Sequence, residues 1–327
     1  MGDVQLQERL SGERLQAAEV SNKRSILAGS ELNQSLGNSI SNVQSLRTVV
    51  LTIVAMVALA ANAVLCRLAL VQDTIDPATF TLVRFGSAAG MLWLILVFKR
   101  KIGSLRGSWQ AAFAMFASAA AFSFAFITIS AGAGALLLYS AVQATMVTTG
   151  IVRGERMTGL QWSGLVLSFL GLAALMAPGV SAPPLVGTVL MLGAGIAWGA
   201  YSLLGQGGTD PLEATAGNFL RAFPMAVLLT LLAALVVIVD VRADAAGLFY
   251  AALSGAIATG LGYTIWYAAL PGLSAAQGAS VQLTVPVIAT VGGTLMIGEE
   301  ITLRLLLSSV AILGGIALVV ANKRLKT

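Results

Sequence analysis

From residue 47 onward the chain is a succession of apolar runs, each about twenty residues long and separated by brief polar or Gly/Pro breaks. A helix rising about 1.5 Å per residue needs about 20 residues to cross a hydrocarbon core of about 30 Å. Runs of that length, repeated with so little between them, leave few folds open. In lipid every backbone N–H and C=O must bond within its own helix or within a closed barrel. The runs predict spans at roughly 48–71, 77–98, 109–129, 132–152 and 158–177, and again at 185–205, 213–239, 246–269, 274–297 and 301–322. The expected fold is therefore all-α and integral to the membrane, with ten transmembrane helices. The third and fourth spans are the hardest to separate, because only Ser130-Ala131-Gly132 divides them.

Charge supports this and narrows the function. Only 10% of residues are charged, against about a quarter in a soluble domain. Five of the 14 acids precede residue 47, so nine serve the remaining 281 residues. There is no histidine, and Cys66 is the single cysteine. Those absences exclude histidine catalysis, an imidazole zinc site and a disulfide scaffold. No glycine-rich turn between strand and helix offers a nucleotide site, and the sequence asks for no metal or cofactor. Residues 1–46 are polar and mixed in charge, and read as a disordered cytoplasmic tail in which Val4 to Val20 could form a short amphipathic helix.

The net charge of +5 suggests nucleic acid until the basic residues are placed. If the N-terminus is inside, 14 Lys and Arg fall in the tails and loops of that side and only Arg242 and Arg304 on the other. That asymmetry is a topology signal. It places both termini in the cytoplasm and the protein in the plasma (inner) membrane, with the lipid bilayer rather than nucleic acid as partner.

Sliding the chain by 144 positions aligns 131–177 with 275–321 without a gap. Gly154-Glu155-Arg156-Met157-Thr158 then meets Gly298-Glu299-Glu300-Ile301-Thr302. Asp76-Pro77 precedes a helix carrying Arg84, and Asp210-Pro211 one carrying Arg221. The spans thus divide into two five-helix repeats, 47–180 and 181–327, behind the 1–46 tail. Because five is odd, the second copy enters the membrane inverted. Inverted repeats are typical of secondary transporters, whose site lies between the halves. The duplication makes a monomer sufficient and is compatible with a homodimer.

Gly154-Glu155 through Pro178-Gly179 and Gly262-Tyr263 through Gly298-Glu299 resemble the EamA-type, ten-helix branch of the drug/metabolite transporter superfamily. Trp198-Gly199, Ala269-Leu270-Pro271 and Pro286 extend the likeness, which covers about residues 48–322. The sequence departs from the family where a tryptophan-glycine of the first span gives way to Ala60-Ala61-Asn62, and where a proline of the fourth span is Val142. The resemblance implies an alternating-access carrier for small metabolites. Related small multidrug carriers bind cations with a carboxylate inside their first helix. Here that region offers Asn62, and no acid lies centrally in any predicted span, so cation-for-proton exchange by that route is disfavoured.

The intramembrane cations are the reverse case. Arg84 and Arg221 each lie about 10–12 Å into a span. Either could neutralise a substrate carboxylate or phosphate, and either could instead tie helices through backbone oxygens. Arg67 is expected to snorkel toward Asp73. Trp198 with Tyr201, and Tyr263 with Trp266, are three apart and share helix faces, while Tyr139 and Gln143 form an i, i+4 pair. Asn62, Gln143 and Gln282 should point inward, toward substrate or into interhelical hydrogen bonds. Tyr263, Trp266 and Tyr267 could alternatively form an interfacial belt. Pro224 and Pro286 are expected to kink their helices and serve gating. Glu155 and Glu299 are expected to cap and order loops, and Thr158 with Gln161 fits a capping box.

The expected function is transport, not catalysis. The protein would export or exchange a small-molecule substrate, amino acids or related carboxylates first. Broad drug export is the alternative within transport, and a lipid-modifying enzyme the alternative outside it.

Overall fold

A computed structural model describes residues 46–100, 106–154, 156–179, 182–205, 210–235, 242–273, 278 and 281–321. The polar tail, Glu155 and the expected onset of the ninth span lie outside the described residues. The chain divides into residues 1–50 and a body, Leu51–Thr327, that holds the cavities and side-chain contacts described below.

Ten apolar helices follow one another among the described residues. They are α1 (Leu46–Val71), α2 (Pro77–Phe98), α3 (Trp109–Ala125), α4 (Ala131–Val152) and α5 (Gly159–Met176). The second set is α6 (Leu185–Leu204), α7 (Pro211–Leu235), α8 (Ala245–Gly272), α9 (Thr284–Ile297) and α10 (Leu303–Ala321). Eight are long and apolar enough to cross a membrane, and α3 and α9 are shorter apolar helices. The α3–α4 division falls at 126–130, earlier than the apolar pattern suggests. Phe126 ends α3, and the Ser130 hydroxyl accepts from the Ala133 N–H to start α4.

Local chemistry fixes the helix starts. The Asp76 carboxylate accepts from Ala78 N (3.0 Å) and Thr79 N (2.9 Å), with Pro77 at the first helical position. Asp210 does the same for α7, accepting from Leu212 N (3.1 Å) and Glu213 N (3.3 Å) ahead of Pro211. The recurring Asp-Pro pair is thus the same helix start in both halves. Thr158 and Gln161 complete a reciprocal capping box at α5.

The most extensive pairings among α2–α10 join the first five helices to the last five: α5 with α10, α3 and α4 with α6, and α2 with α7 and α8. The two inverted repeats are therefore interleaved. Small residues permit the closest approach, since a Cβ on Gly164 of α5 would come within 2.5 Å of the Gly315 carbonyl oxygen on α10. Large apolar side chains such as Phe169, Leu170, Leu306 and Leu307 project outward, as a lipid-facing surface requires.

Two irregularities interrupt the helices. Residues Ser254–Leu261 in the middle of α8 form a π-helical segment, a widened turn that often marks functional sites. Near α9, Val281 and Gln282 are helical, Leu283 is a turn and the helix resumes at Thr284. Pro286 lacks the N–H that would bond the Gln282 carbonyl, which explains a break at that point. Pro286 therefore sits in the first turn of α9. Pro224 lies inside α7 on an exposed face.

Candidate functional site

Helices from both halves enclose a small cavity of about 50 Å³, room for a few water molecules. Asn62 (α1), Arg84 (α2), Tyr139 (α4), Trp198 (α6) and Tyr263 (α8) line it, as do Phe85, Ser118, Phe122 and Phe219. Five of the residues singled out from sequence therefore meet at one place.

Arg84 dominates this site. It is 7% exposed, yet its Nη1 has no hydrogen-bond partner, and it forms no ion pair among the described residues. Its guanidinium stacks over the Phe122 ring, 5.2 Å from the centroid, a cation–π contact that offsets part of the desolvation cost. A buried cation without an acid is an expensive arrangement in a membrane protein and by default a functional one. Gly255 of the π segment packs against the Arg84 backbone so closely that any Cβ there would collide with the Arg84 carbonyl oxygen. The glycine within this widened turn thus lets α8 approach α2 closely at Arg84.

Asn62 makes an interhelical bond and also lines the cavity. Its Oδ1 accepts from the Ser254 hydroxyl at 2.6 Å, which ties α1 to the start of the π segment. Trp198 packs on Tyr201 (centroids 5.1 Å) and on Tyr263 (5.7 Å). Tyr201 is buried just beyond the cavity, where its hydroxyl meets Thr215 Oγ1 at 3.3 Å, and Thr215 meets the Tyr267 hydroxyl at 2.8 Å. Tyr263 and Trp266 are buried in the interior, so the belt reading of these aromatics does not hold for them. Trp266 belongs to the apolar core rather than to the cavity wall.

The remaining residues read from sequence lie elsewhere. Arg221 is half-buried and donates to the carbonyls of Gly217 (2.9 Å) and Arg106 (3.2 Å). It ties its own helix to a neighbouring loop and does not reach the cavity. Gln143 faces a different, larger apolar cavity of about 480 Å³ between α4, α5, α6 and α10, so the i, i+4 spacing from Tyr139 does not give a shared wall. Gln282 is half-buried at the break before α9, outside the cavity. Pro224 and Pro286 do not line it either.

One expectation fails outright. Arg67 does not reach Asp73, which pairs instead with Arg242. The Arg67 Nε donates to Glu299 at 2.9 Å, and Nη1 donates to the carbonyls of Phe126 (2.8 Å) and Ile127 (2.9 Å). The other Glu299 oxygen accepts from Ala131 N at 2.8 Å. The arginine therefore satisfies carbonyls at the end of α3, and the carboxylate satisfies the first N–H of α4, each matching the helix dipole it meets. Glu299 thus caps a helix of the other half, not the helix that follows it.

Sequence reasoning missed Ser254, Thr215, Ser118 and Phe122. A serine before Gly255 in an apolar run was a signal for a close polar contact between helices. Nothing in the sequence marked Phe122 as the ring beneath Arg84.

The comparisons with known proteins accord with this architecture. Residues 46–177 and 185–321 each match the EamA-like transporter family. An uncharacterized protein of Pseudomonas aeruginosa, PA1977, is 52% identical over 278 residues, covering 85% of this chain and 96% of its own length. A solved crystal structure described only as that of a protein shares the fold at 16% identity, with a TM-score of 0.57 over 83% of this chain and 98% of the other. With both halves matched and nearly all of the membrane body covered, the chain belongs to the EamA-like transporter family.

Proposed function

We propose that this membrane transporter is an alternating-access carrier that exports or exchanges small metabolites bearing a carboxylate, held at Arg84 in the cavity between the two halves. The observation that carries this reading is the buried Arg84 guanidinium, whose Nη1 has no partner and whose cavity contains no acid among the described residues. A carboxylate supplies both the charge and the acceptors that this group lacks. An organic cation would meet the repulsion of Arg84 there, with no acid among the described lining residues to offset it. The inverted repeats supply the two related halves that rocking about a central site needs. The excess of Lys and Arg on one side supports a bacterial-type plasma membrane location with both termini cytoplasmic.

Purified protein in liposomes tests this directly. Counterflow of small carboxylates is the expected result, with organic cations such as tetraethylammonium excluded. Cation transport with every carboxylate ignored would overturn the charge argument. A second reading, broad export of hydrophobic compounds, draws on the larger apolar cavity lined by Gln143. Competition by many unrelated hydrophobic compounds would favour it.

A further inference from the structure

The cavity holds one fixed charge and an excess of hydrogen-bond donors. Arg84 is the sole charged side chain among the described residues that line it. Asn62 Oδ1 already accepts from the Ser254 hydroxyl, which leaves it at most one further lone pair beside the two donors of the amide N–H₂. The Trp198 indole can only donate, and the hydroxyls of Ser118, Tyr139 and Tyr263 can donate or accept. Guanidinium itself has five N–H groups and no acceptor.

This composition distinguishes two kinds of carboxylate. An α-amino acid bound through its carboxylate would place its ammonium a few ångströms from that carboxylate, and so close to Arg84. A second cation there needs a counter-charge in low dielectric, and no Asp or Glu lines the cavity among the described residues. Aromatic faces are a poor substitute. They offer only the partial charge of a ring face, not a full counter-charge, and Phe122 is already covered by the Arg84 guanidinium. A 2-hydroxy or 2-oxo acid of the same skeleton carries an acceptor where the amino acid carries the ammonium. That acceptor meets the donors, and the bound pair is neutral. The cavity volume of about 50 Å³ favours the smallest such acids.

Given the reading that a carboxylate binds at Arg84, we infer that the site selects small anionic 2-hydroxy and 2-oxo carboxylates over zwitterionic amino acids of the same carbon skeleton. The order among three-carbon acids follows: lactate and pyruvate are carried in preference to alanine.

The test is counterflow of radiolabelled lactate, pyruvate and alanine, measured separately at neutral pH in proteoliposomes of the full chain. Protein-free vesicles serve as the blank. Lactate and pyruvate should exchange at least about tenfold faster than alanine at equal low concentration, a preference of about 1.4 kcal/mol. In Arg84→Gln vesicles the lactate signal should fall toward the alanine level, while alanine changes little. Alanine carried as well as lactate by the unaltered protein would overturn the inference and leave the carboxylate reading standing. If none of the three is carried and Arg84→Gln alters the transport of no carboxylate, the reading and the inference fall together. The comparison within the unaltered protein needs no variant, so a folding defect in Arg84→Gln would not protect the inference.

Discussion

Arg84 and Arg221 occupy corresponding helices of the two halves but have opposite surroundings. Arg221 spends its donors on the carbonyls of Gly217 and Arg106, whereas Arg84 Nη1 has no partner and the guanidinium lies over a ring. Sequence symmetry suggested equal candidacy, and only packing separates them. Replacing Arg221 with Gln should therefore leave counterflow of a carboxylate within about twofold, a change of less than about 0.5 kcal/mol. A loss as large as that caused by the Arg84 substitution would show that both cations act on the substrate. Arg84 was legible as a candidate because a charge inside a long apolar run is conspicuous. Its lack of a partner was not, because the sequence does not say which side chains its helix will face.

Helix ends were the most legible elements and helix partners the least. Asp-Pro pairs and the Thr158–Gln161 box act within one turn, so their role follows from local spacing. Tyr139 and Gln143 lie about 40° apart around α4 at 3.6 residues per turn. With neighbours on every side, that small angle is enough to send them into different cavities. Nearness in sequence points Arg67 toward Asp73, yet its partner Glu299 is 232 residues away. The pair joins the end of α1, the α3–α4 junction and the α9–α10 turn, and so latches the two halves together at one end of the bundle. Cys66, buried beside Arg67 in sequence, offers a native reporter for this latch. Glu299→Gln removes the charge that holds Arg67, and a membrane-impermeant maleimide should then label Cys66 several-fold faster. Unchanged labelling, with the variant otherwise folded, would show that the pair does not restrain that end.

At the scale of the whole molecule, the odd number of helices per repeat accounts for the arrangement. Two five-helix units of opposite orientation interleave, so that α2 and α3 of one half pack on α6, α7 and α8 of the other. The glycine-lined contact of α5 with α10 forms a close seam. The cavity lies where α1, α2, α4, α6 and α8 converge, and its charge comes from one half while most of its indole and phenol groups come from the other. The shortage of charge that marks the sequence as a membrane protein also isolates Arg84, since among the described residues no acid lines the cavity to pair with it. Lactate counterflow in proteoliposomes, compared between the unaltered protein and Arg84→Gln, tests this most directly. Exchange well above protein-free vesicles is expected for the first and a loss of about tenfold or more for the second, equivalent to about 1.4 kcal/mol of binding or more. Equal rates from two equally well-folded proteins would contradict it.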